Sequence, residues 1–330
     1  MEVTRIENLP PPPGIINSIK AGFDVIASRV TVILLPLLLN LFLWLGPRLR
    51  MDTFFKSIEG DMVLFWQASQ IPAEEIQSML DLYERMTQSI NLFGLLRTLP
   101  IGISSLFAST SGASTTPLGN PAIMQVNGLS FFMWFFLLTF VGWVGGALYF
   151  RFVAGAALAE KITLPGIFRA VLQTILLSII CNLLLFTLSM PVFFILFVAM
   201  QISAVLANLI VLFLALGSVW VIVPVFFWAH GVFLKRQNVL TSILSSIQLT
   251  RFTLPTSSLF VLTVFLLSYG LSFLWRIPSQ DTWMTLLAIF GHSFVTTALL
   301  AGSFIYYHDM SAWVQTVLEK LRPNNVIKQA

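Results

Sequence analysis

Sixty-five consecutive residues, Ala170 to Leu234, contain no Asp, Glu, Lys or Arg. In ordinary soluble domains about a quarter of residues are charged, so a run of this length leaves nothing to solvate a water-facing surface. It does suit a hydrocarbon layer, which each helix crosses with about 20 apolar residues. The pattern recurs at shorter length. Val30 to Pro47, Leu129 to Phe150, Phe252 to Trp275 and Thr282 to Tyr307 are also free of formal charge. A charge at mid-bilayer costs at least about 2.5 kcal/mol, so these gaps locate the spans. With 57% of 330 residues apolar and 10% charged, disorder and a coiled coil are excluded. The length is filled by one membrane bundle rather than by two soluble domains.

Basic residues orient the chain, because short cytoplasmic loops are enriched in Lys and Arg. Arg151, Lys161 and Arg169 precede the longest gap and Lys235, Arg236 and Arg251 follow it. Both flanks read as cytoplasmic, so the gap holds an even number of crossings. Two helices filling it exceed the length needed, which predicts tilt, a kink at Met190-Pro191 or a partly re-entrant segment. The expected fold is therefore an all-α polytopic integral membrane bundle of six transmembrane helices in the plasma (inner) membrane. Residues 1–29 form a cytoplasmic segment with an interfacial helix, and 30–47 the first span. Residues 48–128 are extracytoplasmic, 129–308 supply five further spans, and 309–330 are a cytoplasmic tail. Pro10 to Gly14 interrupts any cleavable-signal pattern at the N-terminus.

Within the extracytoplasmic segment, Phe54, Phe55, Ile58, Met62, Phe65 and Trp66 recur at helical spacing, predicting an interfacial helix from Asp52. A second helix is expected after Ile71-Pro72, with Glu74 and Glu75 at its positive dipole end and Gly94 at its close. Ser104 to Pro121 is rich in Ser, Thr, Gly and Pro and reads as a flexible loop. Amphipathic stretches precede three spans: Gly14–Ile26, Pro165–Val171 and Val239–Arg251. Each is expected to lie at the cytoplasmic surface as an elbow before the chain enters the membrane.

The run Gly231 to Thr250 joins a helix end, the basic pair Lys235-Arg236 and an amphipathic helix carrying Ser242 and Ser246 before another span. In this it resembles a group of six-helix bacterial membrane proteins that includes the membrane domain preceding some glycerophosphodiester phosphodiesterases. The resemblance implies a non-catalytic membrane module. The catalytic domain of those enzymes has no counterpart in this sequence, and no functional residue transfers.

Polar residues inside the spans are the remaining candidates. Asn182, Gln201 and Asn208 either line a polar pathway or hydrogen-bond between helices. Arg151, His230, His308 and Asp309 are expected near one cytoplasmic depth, as a proton- or metal-handling cluster or as solvated interfacial groups. Gly142 and Gly146, with Ala298 and Gly302, form small-residue pairs that permit close helix approach. The single cysteine, Cys181, excludes an internal disulfide and a cysteine-built metal site. No phosphate loop, dinucleotide fingerprint or nucleophile elbow is present, and the spans hold no acid. No cofactor is expected, and the basic residues at helix exits form no nucleic-acid stripe.

Three functions follow as expectations. The first is a non-enzymatic membrane module that scaffolds a membrane-protein partner, a second copy or the lipid bilayer itself. The second is a channel or carrier for an uncharged or lipid-like substrate, requiring a hydrated cavity at Asn182, Gln201 and Asn208. The third is an enzyme, requiring Arg151, His230, His308 and Asp309 to converge.

Overall fold

A computed structural model describes residues 11–107 and 115–321. Helix dominates them. In chain order they form α1 (Ile15–Ser28), a 3-10 turn (Val30–Ile33), α2 (Leu34–Leu45), β1 (Arg48–Arg50), α3 (Asp52–Ala68) and α4 (Ala73–Ser89). After a second 3-10 turn (Leu92–Leu96) come β2 (Ile123–Gln125), α5 (Gly128–Ala157), α6 (Leu164–Ile202), α7 (Ala204–Leu234), α8 (Val239–Trp275) and α9 (Met284–Leu321). Five of the described helices, α5 to α9, are long and apolar enough to cross a membrane. A sixth crossing requires α1 and the Val30–Leu45 helix, bent 96° from one another, to act as one span. The chain is thus an all-α, multi-pass membrane protein.

The longest uncharged gap does hold two helices, but their junction is at Ser203. Helix α6 continues through Pro191, where a kink is one of the three expectations, as a single helix to Ile202. Ser203 is extended (φ −167°, ψ 134°) and its side chain accepts a hydrogen bond from the Val205 amide, capping α7. Its 39 residues give α6 a length of about 58 Å, roughly twice the hydrocarbon thickness. It is this long because the stretch Pro165–Val171, expected as a separate elbow, forms its first turns. Proline in a first helical turn lacks only an amide that would have no partner there, so nothing breaks the helix.

The other elbows are breaks in the backbone. At Arg29 the chain leaves α1 with φ −135° and ψ 57°, and its guanidinium donates to the Ala156 carbonyl at 3.3 Å. In α8 the break falls at Thr253 (φ −125°, ψ 19°), two residues before Pro255, whose ring and missing amide disrupt the preceding turn.

The fold divides into two compact units, and neither is a separate stretch of chain. One is drawn from the chain up to Val30, from Phe150–Ser268 and from Thr297 onward. In its core the Phe260 and Tyr306 rings stack at 3.9 Å, and His230 is enclosed by Phe226, Phe227, Phe304 and Tyr307. Ser18, Gly22 and Ile26, four residues apart, form the buried face of α1.

The other unit comprises Thr31–Tyr149 and Tyr269–Thr296. Trp44, Leu49, Phe93, Phe107, Val126 and Ile289 are among its core side chains. Two short strands, not foreseen in the sequence, pair in parallel, with Leu49 opposite Met124. Helix α4 ends at Ser89 rather than at Gly94, because the backbone is extended at Ile90 and Asn91 and the buried Asn91 side chain accepts the Phe93 amide to start the 3-10 turn. The segment expected to begin a flexible loop at Ser104 is instead packed: Ser105, Leu106 and Phe107 are buried. Residues 108–114 of that predicted loop lie outside the described residues.

Candidate functional site

Arg151 closes the second uncharged gap in the sequence, yet α5 continues through it to Ala157 and buries it to 3% exposure. A buried guanidinium needs acceptors. Its terminal nitrogens find the Phe233 carbonyl at 3.3 Å and the Glu160 carboxylate at 3.4 Å. Its Nε is fully buried and has no hydrogen-bond partner.

Arg151 also lines a small cleft of about 20 Å³, together with Gly166, Arg169, Gln173, Phe233 and Arg236 among others. Two helix ends supply the walls. The start of α6 brings Gly166, where a Cβ would lie 4.0 Å from Arg151 Nε. No side chain caps this helix start, so the Leu164 and Gly166 amides have no intrahelical acceptor. The end of α7 brings Phe233, and beyond it Arg236 is held in the left-handed conformation with φ 50°. Arg169 and Arg236 are both exposed. Arg169 donates to Asn238 Oδ1 at 3.0 Å, and Arg236 reaches Glu160 at 3.8 Å. Glu160 thus faces both Arg151 and Arg236, and the cleft is cationic. Beside it Lys235 extends over the Tyr307 ring at 5.5 Å, and burial lowers the pKa of its ammonium.

The remaining candidates bond to other partners. His230 is buried and its Nε2 bonds Ser303 Oγ at 2.8 Å, whereas His308 and Asp309 are exposed and pair with each other at 2.9 Å. Arg151, His230 and the His308-Asp309 pair therefore have different partners, and of the four only Arg151 lines the cleft. Among the described residues no three His, Cys, Asp or Glu side chains form a metal-binding group. Asn182, Gln201 and Asn208 are exposed on α6 and α7, and Asn182 donates to its own helix at the Ser178 carbonyl, 2.7 Å away.

The small residues serve two different approaches. Gly142 and Gly146 of α5 admit backbone from the end of the second 3-10 turn and the segment after it, where added Cβ atoms would sit 2.9 Å from the Leu96 oxygen and 2.7 Å from the Ile101 oxygen. Ala298 and Gly302 of α9 receive α1 at Gly22. A third approach, missed in the sequence, is at Gly231: its Cβ would fall 2.6 Å from Gln237 Oε1. The missing side chain lets Ser242 donate to the Trp228 carbonyl at 2.5 Å. This contact accounts for the spacing Gly231 to Ser242 within the basic-pair motif.

A larger cavity of about 380 Å³ lies between α3 and α4. Its lining mixes Arg50 and Lys56 with Asp52, Glu59, Asp81 and Glu84. Tyr83 braces it, donating to the Phe55 carbonyl at 3.0 Å, and burial and the Glu59 charge raise the pKa of its phenol.

No protein-family model matches the chain, and no curated protein or solved structure matches it. Fold and cleft together define a multi-pass, all-α membrane protein with a buried arginine at a cationic helix junction.

Proposed function

We propose that this protein is a non-enzymatic module of the plasma membrane, both termini cytoplasmic, that organises lipid around the α6–α7 hairpin. One observation carries this: only 6% of the apolar stretch in each of α6 and α7 is buried by protein, against 61% in α9. Phe193, Phe194, Phe197, Phe213 and Trp220 are at least 63% exposed along it. Side chains of this kind, left uncovered over two membrane-length helices, are solvated by acyl chains. The cationic cleft stands at the base of the same hairpin, where headgroups lie.

The resemblance of Gly231–Thr250 to membrane domains without catalytic residues agrees with this reading. A channel or carrier would need a hydrated cavity around Asn182, Gln201 and Asn208, and these side chains are exposed on the hairpin instead. The test is reconstitution of the full chain into vesicles. The expected outcome is that lipid stays bound through detergent purification and that uncharged solutes leak no faster than from protein-free vesicles. Solute flux that Asn182→Leu and Asn208→Leu both reduce would sink the module reading in favour of a carrier.

A further inference from the structure

We infer that the cleft formed by Arg151, Gly166, Arg169 and Arg236 holds a phosphate oxyanion, supplied by the headgroup of an anionic phospholipid whose chains lie on the α6–α7 hairpin. The inference rests on the lipid-organising reading for the source of the phosphate, and on the cleft alone for its chemistry.

Three features converge on an anion. First, the 3%-exposed Arg151, which lines the cleft, has a buried Nε–H with no acceptor. An orphaned donor on a charged group is costly, and an oxyanion in the cleft would satisfy it. Second, the uncapped start of α6 brings the positive end of a 39-residue helix to the same space. Of its first amides, that of Gly166 belongs to a residue lining the cleft and has no intrahelical acceptor, and the absent side chain there keeps the approach open. Third, Arg169 and Arg236, both exposed, add positive charge to the cleft lining, where headgroups attract basic side chains. Glu160 offsets only part of this. A cleft of about 20 Å³ has room for about one oxygen-sized group, so a single phosphate oxygen enters it and the rest of the ligand remains outside. The exposed apolar hairpin is where the rest of a lipid would lie.

Native mass spectrometry of the full chain in neutral detergent tests this, with phosphatidylglycerol and phosphatidylcholine as probes and inorganic phosphate as competitor. The wild-type protein is expected to retain phosphatidylglycerol in preference to phosphatidylcholine, with no displacement by inorganic phosphate. Arg169→Gln with Arg236→Gln alters only exposed side chains, and should weaken phosphatidylglycerol retention roughly thirtyfold while leaving phosphatidylcholine unchanged. Arg151→Gln risks misfolding. Gly166→Leu therefore serves as the second variant: it keeps every charge, fills the cleft, and should abolish the preference. Equal phosphatidylglycerol retention by wild type and both variants would overturn the phosphate site, even with the hairpin still carrying neutral lipid. Inorganic phosphate bound in the cleft without any retained lipid would support the phosphate chemistry and overturn the lipid source.

Discussion

Gly22 of α1 lies against Gly302 of α9 so closely that a Cβ on Gly22 would stand 2.7 Å from the Gly302 Cα. The obstacle is backbone of α9, because the Ala298 carbonyl oxygen and the Gly302 amide nitrogen are nearer still. A methyl group there cannot be relieved by a rotamer change, so α1 must lift from α9. Gly22→Ala is expected to destabilise the protein by about 1–3 kcal/mol, as other overpacked sites do. Gly60→Ala is the control: nothing lies within 4 Å of its added Cβ, and replacing a mid-helix glycine should stabilise by about 0.5–1 kcal/mol. Apparent melting midpoints in detergent should move in opposite directions. A fall for both would place the Gly22 effect outside this contact.

Asn40 should prove as sensitive as any apolar core residue. It is fully buried, accepting from the Ser105 hydroxyl at 2.9 Å and the Leu106 amide at 2.7 Å, and donating to the Pro36 carbonyl at 2.7 Å. Asn40→Leu leaves the Leu106 amide without its acceptor, at a cost of roughly 2–3 kcal/mol. The loss should appear locally as faster protease cleavage after Phe107. Unchanged cleavage would mean that this segment is held by its apolar residues alone.

Arg48 terminates α2. Its guanidinium donates to the Leu43 and Trp44 carbonyls, which the last turn leaves without amide partners. Burial lowers its pKa, and the side chain is wholly buried. Arg48→Met removes the charge together with its desolvation cost and should lose about 2 kcal/mol. Arg48→Lys keeps a buried charge yet cannot span both carbonyls, so it should lose about 3 kcal/mol, more than the uncharged variant. Melting midpoints in the order Arg, Met, Lys test the capping role. Lys equal to Arg would show that charge alone suffices.

What the sequence revealed and concealed follows from the range of the interactions involved. Uncharged gaps report solvation, a property of each segment by itself, and so Ala170–Leu234 was readable as helices in a membrane. Their junction was not, because a proline inside a helix is tolerated at Pro191 while Ser203 acts through one local cap. Arg151 looked like the end of a span because its acceptors, Glu160 and the Phe233 carbonyl, belong to other turns of the chain. Ser104 and Ser105 looked like loop residues for the same reason: their partners, His292 and Asn40, are 188 and 65 positions away. Strands of three residues, Arg48–Arg50 and Ile123–Gln125, are too short to show an alternating pattern. The cleft was half visible. Arg151 was a candidate, but Gly166 and Arg236 gained meaning only once the ends of α6 and α7 met.

Arg236 separates structural cost from function at that junction. A non-glycine residue at φ 50° is strained by about 1–2 kcal/mol, and the position just past a helix end is one that glycine ordinarily fills. The Lys235 and Gln237 amides both donate to the Gly231 carbonyl, at 3.1 and 3.2 Å, so the turn is held whatever side chain Arg236 carries. With 58% of that side chain exposed and its nearest carboxylate 3.8 Å away, the ion pair with Glu160 adds little to offset the strain. Arg236→Gly should therefore stabilise the fold, by up to about 1 kcal/mol, while weakening retention of phosphatidylglycerol. Arg236→Asn, which tolerates the left-handed region without charge, should leave stability close to that of wild type and reduce retention equally. A melting midpoint that rises in the glycine variant while anionic lipid is lost shows that the arginine is kept for what it binds. If stability and retention fall together in both variants, Arg236 holds the junction and the anion is held by Arg151, Arg169 and the start of α6.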